Sequence, residues 1–222
     1  SECLVGSEMC IRDRYINECI SDVAYLSLSR PAGTLAKSGQ GDDAKSMLSL
    51  IAENIADRNS GFKNLVITDS SGNIVYEYED IQGMKESFFG FEELEGYSEG
   101  STKISKIYMN NEDYETSVFY VAKSIDADGL NNIDGFAIEI IDLSKINEIL
   151  SKTSYGEGKG YLSVTDGTGC VLNYEGNAVQ KIDDIADSGI RDVMKSTAKP
   201  TSAENNIDYN VGGKLGCYNY FT

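Results

Sequence analysis

The chain of 222 residues contains no histidine. That absence removes Ser-His-Asp and Cys-His nucleophile systems, histidine general acid–base catalysis and the commonest zinc ligand. Basic side chains are scarce: 19 Lys and Arg stand against 36 Asp and Glu, giving a net charge of −17. Such a surface repels phosphate, which argues against nucleic acid and anionic lipid as partners. Long apolar runs are missing too. Those around Phe136 and Ile141 are a handful of residues, far short of the roughly 20 that span a bilayer, and there is no secretory h-region.

What is present is the composition of a globular protein, 41 % hydrophobic and 25 % charged, enough to bury a large core. The length suits one large domain or two modules of about 100 residues each. Leu4 to Arg14, LVGSEMCIRDR, is similar to the translation of a sequencing adaptor, so residues 1–14 read as a scar that leaves room for a membrane anchor before Tyr15. With Cys3 and Cys10 set aside, Cys19, Cys170 and Cys217 remain. An odd number without CxxC spacing makes neither a metal site nor a disulfide framework, and it fits a cytosol or the outside of an anaerobe.

Ile16, Ile20, Val23 and Ala24 recur at helical spacing and predict a helix from about Arg14 to Ser29, interrupted by Pro31. Ala44, Met47, Leu48, Ile51 and Ile55 predict a second, opened by Asp42 and Asp43 and closed at Gly61. Asn64 to Thr68 reads as a strand, DSSG at 69–72 as a turn, and Ile74 to Tyr78 as the hairpin partner.

This hairpin occurs twice. ITDSSGNIV at Ile67 recurs as VTDGTGCVL at Val164, 97 positions later. Asp69 and Asp166 are placed to cap the turn through the following amides, while Gly72 and Gly169 are expected to take its positive φ. A period near 100 residues suits two similar modules rather than a solenoid. Strands are expected at about 103–110, 116–125 and 135–142, the last two separated by DADGLNNIDG. Leu143, Ile146, Ile149 and Leu150 predict a connecting helix. After the second hairpin, Ile182, Ile185, Ile190, Val193 and Met194 form a helical stripe, followed by strands near 205–211 and 214–221.

Three stretches, GFKNLVITDSSGNIVY, DGFAIEIIDLSKINEILSK and YGEGKGYLSVTDGTGCVLNYEG, resemble the double Cache sensor domain of bacterial transmembrane receptors, a tandem of PAS-like modules. The resemblance runs from about Tyr15 to Thr222. It implies an α+β fold of two modules, each an antiparallel sheet flanked by helices: a helical stalk over 15–60, a membrane-distal module over 61–142, a connecting helix over 143–155, and a membrane-proximal module over 156–222 lacking its last strand. It also implies the sheet order 2-1-5-4-3, flanking membrane spans and dimerisation through the N-terminal helix. The site implied lies on the extracytoplasmic side, binds a small molecule, needs no cofactor or metal and performs no catalysis.

Family members that bind amino acids share an Arg, an aromatic pair, Tyr-x-Asp and a final Asp on the last distal strand. Here Glu86, or Lys85 with a one-residue slip, stands for the Arg, and Phe88-Phe89 for the pair. Tyr108-x-Asn110 stands for Tyr-x-Asp, and Ile140 falls at the final Asp. Without that acid an α-ammonium group lacks a counter-charge, which argues against a standard amino-acid sensor. The candidate ligand-binding set is Lys85, Phe88, Phe89, Tyr108, Asn110 and Tyr120, each aromatic being either pocket wall or plain core.

Weaker signals read as ordinary structure. GEGKG at 156–160 lacks the spacing of a phosphate loop and reads as a turn. Asp126, Asp128 and Asp134 fail the calcium-loop template and read as a solvated hairpin loop. Glu92, Glu93, Glu95 and Glu99 read as a solvated face. The readings left open are the sensor region of a chemoreceptor, of a histidine kinase or of a diguanylate cyclase, and more remotely a structural surface protein or a carboxylate-based hydrolase. Against the hydrolase, no Asp or Glu is expected in an apolar strand-end setting.

Overall fold

The computed structural model describes residues 5–80, 102–110, 113–152, 162–167, 169–195, 207–211 and 214–218, with only the backbone course of 5–13 and 207–218. Three helices lead in: α1 (Val5–Ser27), α2 (Arg30–Ser38) and α3 (Asp42–Arg58). Helix α1 starts nine residues before the expected Arg14, so the adaptor-like string is helical from Val5 on. Pro31 interrupts the chain as expected but also opens α2, which the sequence reading missed. Ser29 caps this helix by accepting from the Ala32 amide, and proline is tolerated in a first turn because those amides lack helical partners anyway. In α3, Ala44, Leu48, Ala52 and Ile55 are buried, whereas Met47 from the expected stripe is exposed.

The chain then enters β1 (Phe62–Asp69), β2 (Ile74–Glu77), β3 (Thr102–Ile104), β4 (Val118–Ile125) and β5 (Gly135–Asp142). They form one antiparallel sheet in the order β2-β1-β5-β4-β3, the order the resemblance implies. Every residue of β5 is buried, because both faces of this central strand are covered. Alternation sends Phe136, Ile138 and Ile140 into a cluster with Val66, Val118, Tyr120 and Ala122. Ala137 and Ile141 join the opposite, helix-covered face.

Helix α4 (Ser144–Ser151) is the expected connector, burying Ile146, Ile149 and Leu150. The second module contains β6 (Val164–Thr165), β7 (Cys170–Tyr174), β8 (Asn177–Lys181), a short 3-10 turn at Ile182–Asp184, and α5 (Ser188–Met194). Strands β9 (Ile207–Val211) and β10 (Lys214–Tyr218) pair as a separate ladder. Strand β8 went unpredicted, and with it β7 is an inner strand of the order β6-β7-β8 instead of an edge. Its sequence NAVQK buries only Val179 and so shows no apolar run.

Both hairpin aspartates cap their turns. Asp69 accepts from the Ser71 and Asn73 amides at 2.9 Å, and Asp166 from the Gly169 and Cys170 amides at 2.9 and 3.0 Å. Gly72 takes the positive φ, 83°, as expected. Gly169 does not; in the second turn the left-handed residue is Gly167, with φ 73°, because this turn bends two residues earlier.

Candidate functional site

The distal sheet positions two of the six candidate side chains together. Tyr108 lies just beyond β3 and pairs with Val118 through both backbone bonds, 2.8 and 3.1 Å, while Tyr120 is two residues into β4. Their rings stack with centroids 6.2 Å apart and planes 21° from parallel, a favourable offset geometry. Tyr120 is buried and Tyr108 half-buried, and the Lys106 ammonium sits 5.2 Å from the centre of the Tyr108 ring. Ser105 ties the segment before Tyr108 to β4: its amide donates to the Tyr120 carbonyl at 2.9 Å and its hydroxyl accepts from the Tyr120 amide at 2.8 Å.

Ile140 lies directly across from Tyr120 on β5, in the same apolar cluster. The position where amino-acid binders carry an acid is therefore an apolar side chain packed beside the tyrosine. Asn110 is exposed. Its amide donates to the Ser117 hydroxyl at 3.1 Å and its carbonyl accepts from Thr116 at 2.6 Å, so its backbone shapes the turn before β4. Lys85, Phe88 and Phe89, and the alternative Glu86, lie outside the described residues.

Two features of the distal sheet and its surroundings escaped the sequence reading. The second oxygen of Asp166 accepts from the Ile107 amide at 3.0 Å, so the proximal turn is bonded to the residue preceding Tyr108. No local pattern announces a contact between residues 59 apart. The other is Glu139, which stands in the helix-facing row of β5 between Ala137 and Ile141 and is wholly buried. It stands mid-strand, a setting the strand-end expectation does not cover, and the single charge inside FAIEII was the signal for it. Burial pushes its carboxyl up to about 8, and Asp22 adds to the rise; Arg58 and the Asn59 amide pull the other way. Neither carboxylate oxygen has a hydrogen-bond partner of normal geometry.

The acidic hairpin loop is held by the protein's own donors. Asp126 accepts from the Leu130 and Asn131 amides at 3.2 and 2.9 Å, Asp134 accepts from the Ala127 amide at 2.8 Å, and Lys37 pairs with Asp128. No group of three or more acids and cysteines suited to a metal occurs among the described residues.

No protein-family model and no curated protein sequence matches the chain. Solved structures do. The ligand-binding domain of a Pseudomonas aeruginosa amino acid chemoreceptor in complex with GABA aligns with a TM-score of 0.57 at 14 % identity, over 96 % of this chain and 86 % of that one. The periplasmic sensory domain of a Campylobacter jejuni chemoreceptor aligns with a TM-score of 0.55 at 16 % identity, over 92 % and 81 %. A domain assigned to the sensory box/GGDEF family in Vibrio parahaemolyticus aligns with a TM-score of 0.56 at 12 % identity, over 85 % and 77 %. At such identities the likeness is one of fold: the chain shares the α+β architecture of these sensor domains.

Proposed function

We propose that the chain is the extracytoplasmic, small-ligand-binding sensor region of a bacterial transmembrane signalling receptor, most simply a chemoreceptor. The observation that supports this best is the distal sheet, which sets a stacked Tyr108–Tyr120 pair on the face opposite the helices. The fold is also found in a chemoreceptor bound to GABA and in a GGDEF-family protein, so a histidine kinase or diguanylate cyclase output is the second reading. No helix among the described residues is long and apolar enough to cross a membrane, and the spans would lie outside residues 15–222. Tyr25 is exposed on α1 and Leu28 in the turn just after it, which supports a dimer through that helix and its end.

The ligand is a small molecule without an α-ammonium group, since Ile140 offers an ammonium no counter-charge. A thermal-shift screen tests this, because a ligand present at a hundred times its Kd stabilises by about 2.7 kcal/mol. The common L-amino acids and GABA should give no shift. A neutral or anionic small molecule should give one that Tyr108→Ala reduces. Stabilisation by several amino acids would overturn the ligand class, and a hit indifferent to Tyr108→Ala would overturn the site.

A further inference from the structure

A charged group buried in a helix–sheet seam without a partner is held there at a cost, and that cost depends on its protonation state. Glu139 is close to such a group: the Asn59 amide is its one polar neighbour of note, and neither carboxylate oxygen has a hydrogen bond of normal geometry. It projects from the central strand toward α1, flanked across the sheet by Leu65 of β1 and Val121 of β4. Both neighbours are fully buried and offer no donor from their side chains. From α1, Tyr15 and Cys19 face it; burial raises both of their pKa values first, and Glu139 raises them further, so both stay neutral.

The cations nearby are already taken. Arg58, at the end of α3, pairs with Asp22 of α1 at 2.5 Å, and Lys63 of β1 pairs with Asp142 of β5 at 3.1 Å. A cleft of about 460 Å³ opens next to this seam, between α1 and the end of α3, walled by Tyr15, Asp22, Arg58 and Asn59, while Glu139 itself stays fully buried behind them. Glu18, Asp57 and Lys145 stand at the same cleft and leave it net acidic.

We propose that Glu139 is a proton-binding site that couples the docking of α1 on the sheet to the pH outside the cell. With a proton, the carboxyl is neutral and α1 packs over it. Without one, it must be hydrated, and α1 has to lift to admit water. A carboxyl whose docked-state pKa lies near 8 and whose free value is 4.5 favours docking at acid pH, and that advantage declines as pH rises through this interval. The meaning of this device as a signal rests on the sensor reading above; its chemistry does not.

The buried Cys19 thiol, on the same face of α1, reports the lift. Alkylation at Cys19, followed by peptide mapping on the full chain, is compared between wild type and Glu139→Gln from pH 6 to 8.5. Taking the ratio cancels the thiol's own titration. The ratio of wild type to variant is expected to climb by roughly tenfold or more over this range, since each pKa unit is worth a factor of ten. A flat ratio overturns the proposal. Should the variant fail to fold, wild type labelled at its glutamate carboxyl carbons should show one resonance titrating above pH 7, and titration of every glutamate below pH 6 overturns it. A chain that titrates so but binds no small molecule loses the sensor reading and keeps the proton site; one that binds a ligand while α1 docks identically at every pH does the reverse.

Discussion

Asp69 and Asp166 occupy the same place in two copies of one turn, yet only one of them reaches out of it. Asp69 serves its own hairpin, accepting from the Ser71 and Asn73 amides and from the Asn73 side chain. Asp166 does the same for Gly169 and Cys170 and adds the Ile107 amide of the other module. A hydrogen bond to a charged acceptor contributes about 1.5–3 kcal/mol, less where water can replace it. Asp69→Ala should therefore cost about 1 kcal/mol in urea unfolding, and Asp166→Ala about 2–3 kcal/mol, the excess belonging to the inter-module bond. Equal losses would mean that the Ile107 contact contributes nothing. Since Ile107 adjoins Tyr108, this bond also ties the residue next to the tyrosine pair to the second module.

At the scale of elements, legibility followed burial on one or two faces. The helical stripes of α1 and α3, the first hairpin and the continuous apolar runs of β4 and β5 were readable because side-chain periodicity records which faces are covered. Helix α2 was not, since its proline was read only as a stop, and β8 was not, since only Val179 of its five residues is buried. Glycine roles were half legible. A turn demands a positive φ somewhere, but the sequence TDGTG offers two candidates, and the structure chooses Gly167 over Gly169. Gly169→Ala meets open space at an ordinary φ and should leave stability within about 1 kcal/mol of wild type. Gly135→Ala should behave oppositely. Its Cβ would lie 2.0 Å from the Thr68 carbonyl oxygen and 3.0 Å from the Ala36 methyl, contacts that only a shift of β5 against β1 or α2 can relieve. A loss of about 2–4 kcal/mol is expected by thermal unfolding, and a neutral Gly135→Ala would show that the β1–β5 seam is looser than its pairing implies.

For the whole molecule, the duplicated hairpin carried the architecture: it announced two modules, and the first adopts the expected strand order in full. Of the candidate site, Tyr108 and Ile140 were placed by the family pattern and Tyr120 was singled out as an aromatic, but the stacking of the two tyrosines was not legible. The Asp166 bridge and Glu139's surroundings were not either, because both depend on residues brought together from distant parts of the chain. The proximal module tests the architecture through its late cysteines. Cys170, a buried free thiol, opens β7, whose two sheet neighbours are β6 on one side and β8 on the other. Cys217 lies on β10, paired opposite Asp208 of β9. Because both edges of β7 are occupied, no strand of the β9–β10 ladder can lie beside it within the sheet. A strand added at either open edge of this sheet would stand two steps from β7, at about 4.8 Å each, or roughly 10 Å. A disulfide needs its Cα atoms within about 7 Å, so the pair should stay reduced even in an oxidising compartment. A variant lacking residues 1–14 and carrying Cys19→Ser should then titrate two thiols after denaturation. A mapped Cys170–Cys217 bridge would place β10 against β7 and refute the arrangement of the second module.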